Sequence, residues 1–156
     1  MTMSAAMCLL AAVPDVVHAQ SNAQNSTPSS AQSNAQSMLV VVNSANPIVS
    51  LTKDQLALIY LKKTKKWKND EPIVPVDQAR RTKLRDTFSL EVLGRSASTM
   101  ETYWQAQIFS GKDVPPLVRK TDADVLAYVR ETPGAIGYVM PGTSLETGVK
   151  TVTVKD

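Results

Sequence analysis

The residues most able to do chemistry in this sequence lie in ARRTKLR, residues 79–85, shortly after the apolar run IVPV, residues 73–76. The run is typical of a short buried strand, and the apolar spacing after the loop is typical of a helix. Backbone N–H groups at a helix start carry partial positive charge, and arginine presents a planar fork that matches an oxyanion. The pattern predicts an anion-binding loop, whose candidate ligand-binding residues are Arg80, Arg81, Thr82, Lys83 and Arg85.

A purely structural interpretation of the same loop stays open. Cations in the first turn of a helix oppose its dipole, at a cost of a few tenths of a kcal/mol each. Solvent exposure and screening reduce that cost without any ligand, and a charge pair open to water contributes about 1 kcal/mol at most. The loop is therefore either an oxyanion site or a solvated basic turn.

The side chains that most often catalyse reactions are scarce. The only histidine is His18 and the only cysteine is Cys8, and both fall in a segment that we expect to be removed. Without them the chain lacks the commonest general base and the usual zinc ligands. No carboxylate pair has a spacing that indicates catalysis. We therefore predict a protein that is not an enzyme and that has no catalytic residue, metal or cofactor.

The first 37 residues differ in composition from the rest. Residues 1–19 contain a short apolar run and end in VHA, so they are predicted to be a signal peptide. Residues 20–37 consist almost entirely of Gln, Ser, Asn and Ala and are predicted to be a disordered linker. Residues 38–156 are the predicted folded domain, and the predicted location is the periplasm.

Charge and hydropathy indicate whether the chain has a nucleic-acid partner or a membrane-spanning segment. The net charge is +3, and an exported basic domain does not routinely meet nucleic acid, so no nucleic-acid partner is expected. The basic stretch KKTKKWK, residues 62–68, is interpreted as a solvated turn with Trp67 packed on the core. No apolar segment has the length of a transmembrane helix, so none is predicted.

Helices alternate with strands along the folded part. Strands are predicted over residues 38–43, 73–76 and 135–140 and from residue 149, and helices over residues 52–61, 82–93, 98–109 and 121–131. Three of the helices begin with capping boxes, in which Thr52, Ser98 and Thr121 act as caps. The order of the elements predicts an α/β fold in which helices flank a mostly parallel sheet.

Three stretches together resemble one protein family. They are VVVNSANPIVSLTKDQLALIYLKKTKKW (residues 40–67), LRDTF (residues 84–88) and TPGAIGYV (residues 132–139). Their residues, and their order along the chain, are similar to those of the phosphate-type periplasmic substrate-binding proteins of ABC transporters. The resemblance covers residues 38 to about 140. It implies a type II periplasmic-binding-protein-like, three-layer sandwich.

The chain departs from this family in two ways. Family members bind the ligand between two lobes of comparable size, whereas this sequence has room for a single lobe. The family also carries its ligand on an Arg-Ser-Asp-Gly-Ser-Gly-Thr loop, and here Gln78 stands at the arginine. Arg81 and Lys83 stand at the two glycines, and only Thr82 keeps a hydroxyl group at a hydroxyl position.

The resemblance implies a non-enzymatic, solute-binding-like protein with weak affinity for a small oxyanion such as phosphate. Ligands of open parallel sheets bind at the carboxyl ends of strands. Asn43 and Ser44, at the end of the first strand, are therefore expected to lie beside the basic loop and to contribute to the site. The alternative hypothesis is a protein-interaction module that has lost ligand binding and docks a periplasmic or membrane protein.

Overall fold

The computed structural model of the protein describes residues 37–156. Within this range the chain forms six strands and four helices, which are interleaved along the chain. In chain order they are β1 (Leu39–Asn43), β2 (Ser50–Thr52), α1 (Lys53–Tyr60), β3 (Val74–Gln78), α2 (Lys83–Glu91), α3 (Ala97–Phe109), β4 (Leu117–Arg119), α4 (Asp122–Glu131), β5 (Ala135–Val139) and β6 (Val149–Lys155).

The strands form a single sheet in the order β2-β6-β1-β5-β3-β4. β3 runs parallel to β4 and to β5, and β2 runs parallel to β6. β1 is antiparallel to both of its neighbours, with Val42 opposite Ile136 and Val40 opposite Val152. Five of the six strands therefore share one direction, as the prediction of a mostly parallel sheet requires.

Alternating side chains of the central strands fill two cores, one on each face of the sheet. Val40 and Val42 of β1 join the core under α1 and α2, whereas Val41 joins the core under α4. Helix α3 lies outside α2 and buries Met100 and Trp104. The three-layer α/β sandwich predicted from the sequence is confirmed, and Trp67 is buried in the core as expected.

The starts of three helices were predicted correctly from capping residues, and the start of one helix was predicted incorrectly. Capping boxes at Thr52 and Thr121 start α1 and α4, and the Thr82 hydroxyl caps α2. The predicted cap of α3 at Ser98 is wrong. Ser96 is the cap, because its hydroxyl accepts the N–H of Thr99, and Ser98 is the second residue of the helix.

Both glycines of the PGAIGYV stretch allow close packing. A Cβ atom on Gly134 would lie 2.0 Å from the backbone oxygen of Pro72, and one on Gly137 would lie 2.5 Å from the Val125 side chain. The carbonyl oxygen of Gly134 also accepts hydrogen bonds from the indole of Trp67 and from the Val74 N–H. These contacts fix the start of β5 beside β3.

The predicted signal peptide, and all but the last residue of the predicted linker, lie outside the described residues. Within residues 37–156, no helix combines the length and the apolar composition that crossing a bilayer requires.

Candidate functional site at the start of helix α2

Helix α2 starts directly beyond β3, in the loop that the sequence predicted to hold an anion. The Thr82 hydroxyl donates to the carbonyl oxygen of Ala79 at 3.1 Å and accepts the Arg85 N–H at 3.3 Å. The N–H groups of the first two helical residues, Lys83 and Leu84, have no acceptor within the helix. The loop therefore leaves donors at the positive end of the helix dipole.

Arg81 adopts an unusual backbone conformation in this loop. Its φ angle is +64°, in the left-handed region, which costs a residue with a Cβ atom about 1–2 kcal/mol. Glycine reaches this region without that cost. Position 81 thus has a backbone conformation that favours glycine, but it is occupied by an arginine, whose guanidinium group is carried by the loop.

We predict that Arg81→Gly raises the stability of the domain slightly. The relieved strain of about 1–2 kcal/mol exceeds the greater chain entropy that glycine loses on folding, about 0.5–1 kcal/mol. A gain of roughly 0.5–1 kcal/mol in the free energy of unfolding is expected from urea titration. Arg80→Gly, at the preceding residue, which has no positive φ angle, serves as the control and should not be stabilised.

Arg85 differs from the other basic residues of the loop because its side chain is buried, at 6% exposure. It forms an ion pair with Asp77 at the end of β3 and donates to the carbonyl oxygen of Gln78 at 2.9 Å. Asp77 also accepts hydrogen bonds from the Tyr138 hydroxyl and from the Gln78 N–H. Among the residues that the structure describes, none accepts the Nε–H of Arg85, although this atom is buried.

The environment of this cluster shifts the pKa values of its members. Burial raises the pKa of Asp77, while the Arg85 guanidinium and the hydrogen bond from Tyr138 act to lower it. Burial and the nearby Asp77 carboxylate raise the pKa of the Tyr138 hydroxyl, so that it stays protonated and continues to donate. The cluster is a fixed support for the loop above it.

Gln78 stands where the resembling family has an arginine, and the structure gives it a structural role. Its side-chain amide donates to the Asp122 carboxylate at 2.8 Å and to the carbonyl oxygen of Tyr138 at 2.9 Å. Asp122 in turn accepts from the N–H of Met140 and the hydroxyl of Thr143. These bonds tie the ends of β3 and β5 to the start of α4.

A cavity of about 370 Å³ lies between the start of α2 and the start of α3. Two basic, two acidic and three small residues line it: Arg81, Arg85, Asp86, Ser96, Ala97, Ser98 and Glu101. The exposed Arg80 pairs with Glu101, with 3.4 Å between Nε and Oε1. The contribution of α3 was not predicted, because no pattern in the sequence places the two helix starts together.

The structure brings Arg80, Arg81, Thr82, Lys83 and Arg85 together, but it does not bring Asn43 and Ser44 to them. The expectation that the ends of β1 and β3 adjoin is wrong, because β1 runs antiparallel to β5 and β5 runs parallel to β3. Asn43 therefore lies about 13 Å along the sheet from the level of Gln78, at about 3.3 Å per residue.

Asn43 has a structural role at the opposite end of the strands. Its side-chain amide donates to the carbonyl oxygens of Val129 and Arg130 at 3.0 and 2.8 Å. Its side-chain oxygen accepts the Ala45 N–H. The residue thus caps the end of α4. Ser44, beside it, donates its backbone N–H to the carbonyl oxygen of Gly148.

The described residues also contain no group of three or more His, Cys, Asp or Glu side chains arranged to hold a metal ion.

Comparison with solved structures identifies relatives of the same fold. A candidate phosphate ABC transporter substrate-binding protein from Clostridium perfringens, solved with bound phosphate, matches at a TM-score of 0.60 and 24% identity, over 76% of this chain and 44% of that protein. An ABC-type phosphate transport receptor from Vibrio cholerae matches at 0.59 and 23%, over 76% and 46%. PstS from Borrelia burgdorferi matches at 0.60 and 17%, over 77% and 47%.

The chain spans less than half the length of each of these three proteins. No protein of curated function matches the sequence. The model of one family, the PBP superfamily domain, matches residues 35–154, which include nearly all of the described fold. This chain is therefore a member of the PBP superfamily, with the fold of the substrate-binding proteins of phosphate ABC transporters.

Proposed function

We propose that this protein is a non-enzymatic, single-lobe solute-binding protein of the periplasm that binds a small oxyanion such as phosphate at the start of α2. Thr82 caps the helix there, and Arg81 keeps a turn that costs backbone strain. The binding residues would be Arg81, Arg85 and the first N–H groups of α2, with Arg80 and Lys83 attracting the anion.

The observation that carries this proposal is the buried, unpaired Nε–H of Arg85. A buried donor without an acceptor costs about 1–3 kcal/mol, so native structures rarely keep one without a reason. An oxyanion held at the start of α2 would supply the missing acceptor once the atoms that cover the Nε–H shift slightly, since this atom has less than 1 Å² of accessible surface. Arg85 is already fixed by Asp77 and Gln78, so it would lose little conformational freedom on binding.

The exposure of Arg80, Arg81 and Lys83 sets an upper limit on the affinity. A site that stays open to water gains little from each charge pair, about 1 kcal/mol or less. We therefore expect a dissociation constant of roughly 0.1–1 mM, which corresponds to about 4–5.5 kcal/mol of binding free energy.

Calorimetric titration with phosphate and with sulfate tests the proposal. Removing both loop charges in the variant Arg80→Ala, Arg81→Ala should weaken binding at least tenfold. The variant Lys63→Ala, Lys66→Ala is the matched control. It removes two exposed positive charges from the turn after α1, so its net charge equals that of the double arginine variant. Absence of heat at millimolar anion, or equal losses in the two variants, would contradict the proposal.

A second candidate function is a protein-interaction module, and the exposed apolar side chains at the end of α3 and just after it favour it. Phe109 is 89% exposed, and Ile108 and Val114 are more than half exposed. They precede β4, which is parallel to β3 and runs along the edge of the sheet, so they lie toward the amino ends of these strands and away from the loop of α2. Under this hypothesis the partner is a periplasmic or membrane protein. Sedimentation with and without the substitution Phe109→Ser would reveal association through this segment.

A further inference from the structure

We propose that the cavity between the starts of α2 and α3 selects a hydroxylated phosphomonoester over inorganic phosphate. This inference rests on the proposed function, because the same anion site would hold the phosphoryl group. It adds a second helix start beside the phosphoryl group, and two carboxylates that would contact the remainder of the ligand. The chemical class is a phosphoryl group attached to a small polyol.

The first argument is that two helix starts face one cavity. Arg81 and Arg85 line it from the side of α2, and Ala97 and Ser98 line it from the side of α3. The Ser96 hydroxyl already accepts the N–H of Thr99, but the N–H groups of Ala97 and Ser98 have no acceptor inside the helix. Donors and dipoles from both helices therefore favour a negative group between them.

The second argument is the unpaired Nε–H of the buried Arg85, which lines this cavity. It is independent of the helix starts, because it concerns a side chain that the core already holds in place. Because the Nε atom has less than 1 Å² of accessible surface, a phosphoryl oxygen would reach it only after a small shift of the atoms that cover it. It would then form a charge-assisted hydrogen bond.

The third argument is size. The cavity measures about 370 Å³, which corresponds to the volume of about twelve water molecules at about 30 Å³ each. Inorganic phosphate has five heavy atoms and would fill only part of this space. The volume falls at the lower end of the range of about 300–1,000 Å³ that is typical of small-molecule sites.

The fourth argument concerns the two carboxylates. Asp86 and Glu101 line the same cavity as Arg81 and Arg85, and a purely anionic ligand would have to approach both negative groups. Carboxylates accept hydrogen bonds and cannot donate them when ionised. Hydroxyl groups on a polyol supply the matching donors, so a ligand with a phosphoryl group at one end and hydroxyl groups at the other satisfies both halves of the lining.

Titration with three probes tests this selection: glycerol 3-phosphate, inorganic phosphate and glycerol. We expect glycerol 3-phosphate to bind the unmodified protein at least tenfold more tightly than inorganic phosphate, and glycerol to show no binding at the same concentration. Equal or tighter binding of inorganic phosphate would overturn the inference and leave the proposed function standing. Absence of binding by both phosphates would overturn both.

Ala97→Pro tests the role of α3 with little change to the helix. Proline is well accepted at the first helical position, and the extended conformation of Ser96 suits a following proline. The substitution removes one N–H donor and should weaken glycerol 3-phosphate binding about tenfold. Lys53→Pro likewise removes the N–H at the first position of α1, together with the exposed ion pair between Lys53 and Asp156. This position is away from the cavity, so the variant should leave binding unchanged. Equal affinities in the two variants would contradict the inference.

Glu101→Gln separates the two halves of the ligand. The substitution keeps the shape of this half-buried side chain and replaces the carboxylate with an uncharged amide, whose oxygen accepts a ligand hydroxyl more weakly. We expect glycerol 3-phosphate to bind at least threefold more weakly and inorganic phosphate to bind equally or more tightly, because Arg80 is released from its partner. Parallel losses for both ligands would mean that Glu101 acts only on the structure, and would overturn this assignment.

Discussion

Arg85→Met is expected to lower the free energy of unfolding by about 3–5 kcal/mol, the cost of removing one partner of a buried ion pair. The substitution leaves the Asp77 carboxylate buried, with only the Tyr138 hydroxyl and the Gln78 N–H as donors. It also removes the bond from Arg85 to the carbonyl oxygen of Gln78. Urea or thermal unfolding monitored by far-UV circular dichroism measures the loss.

The double variant Asp77→Asn, Arg85→Met is the control for this prediction. It removes both charges, and an asparagine side chain still accepts the hydrogen bond from Tyr138. Replacement of a complete buried pair is often close to neutral, so the double variant should be clearly more stable than Arg85→Met alone. Equal stabilities of the two variants would mean that the unpaired carboxylate is not the source of the loss.

The pH dependence of Arg85→Met follows from the same cluster. The Arg85 guanidinium lowers the pKa of Asp77 against the effect of burial, so its removal raises the folded-state pKa further above the unfolded value of about 4. When the folded-state pKa of a carboxyl group is raised, the folded protein becomes less stable as the pH rises above the pKa that the group has in the unfolded chain. The deficit of the variant relative to the unmodified protein should therefore be smaller at about pH 5 than at about pH 8.

Gly134→Ala is the second substitution with a large expected effect. The added Cβ atom would lie 2.0 Å from the carbonyl oxygen of Pro72, which is backbone and cannot rotate away. The start of β5 must move, and the hydrogen bonds from Trp67 and Val74 to the Gly134 carbonyl weaken with it. We expect a loss of more than about 3 kcal/mol, in the upper range of single substitutions.

Trp67 provides the measurement for this variant. Its indole donates to the Gly134 carbonyl and is buried, so displacement should shift its fluorescence to longer wavelength along with the loss of stability. Gly111→Ala is the control: its φ angle is +66° and no atom lies within 4 Å of an added Cβ. That variant should lose only the conformational cost of about 1–2 kcal/mol. Equal losses at the two glycines would argue against the packing explanation.

The sequence predicted the features that depend on neighbouring residues. Thr52 with Gln55, and Thr121 with Asp124, form capping boxes within four residues, and such short-range bonds can be read directly from residue types. The start of α2 at Thr82 was predictable for the same reason. Near the start of α3 the sequence contains two serines that could cap the helix. Which of them is the cap, Ser96 or Ser98, depends on where the chain leaves α2.

The features that the sequence did not predict depend on contacts between distant segments. The direction of β1 is set by its pairing with β5 and β6, about 100 residues along the chain, and this pairing removes Asn43 from the candidate site. β2 and β4 have three residues each, too few for a pattern of alternation. The pairing of Asp77 with Arg85, and the approach of α3 to α2, likewise became visible only in the fold.

The antiparallel pairing of β1 with β6 has a practical consequence for attaching this protein to a surface. Leu39 lies opposite Val139, and β6 ends beside the start of β1. The start of β1 and the end of β6 therefore lie at the end of the strands that carries the loop of α2. An anchor or dye at either of these ends would crowd the face of the candidate site. Lys63, beyond the far end of α1, offers a coupling position that keeps this face turned toward the solution.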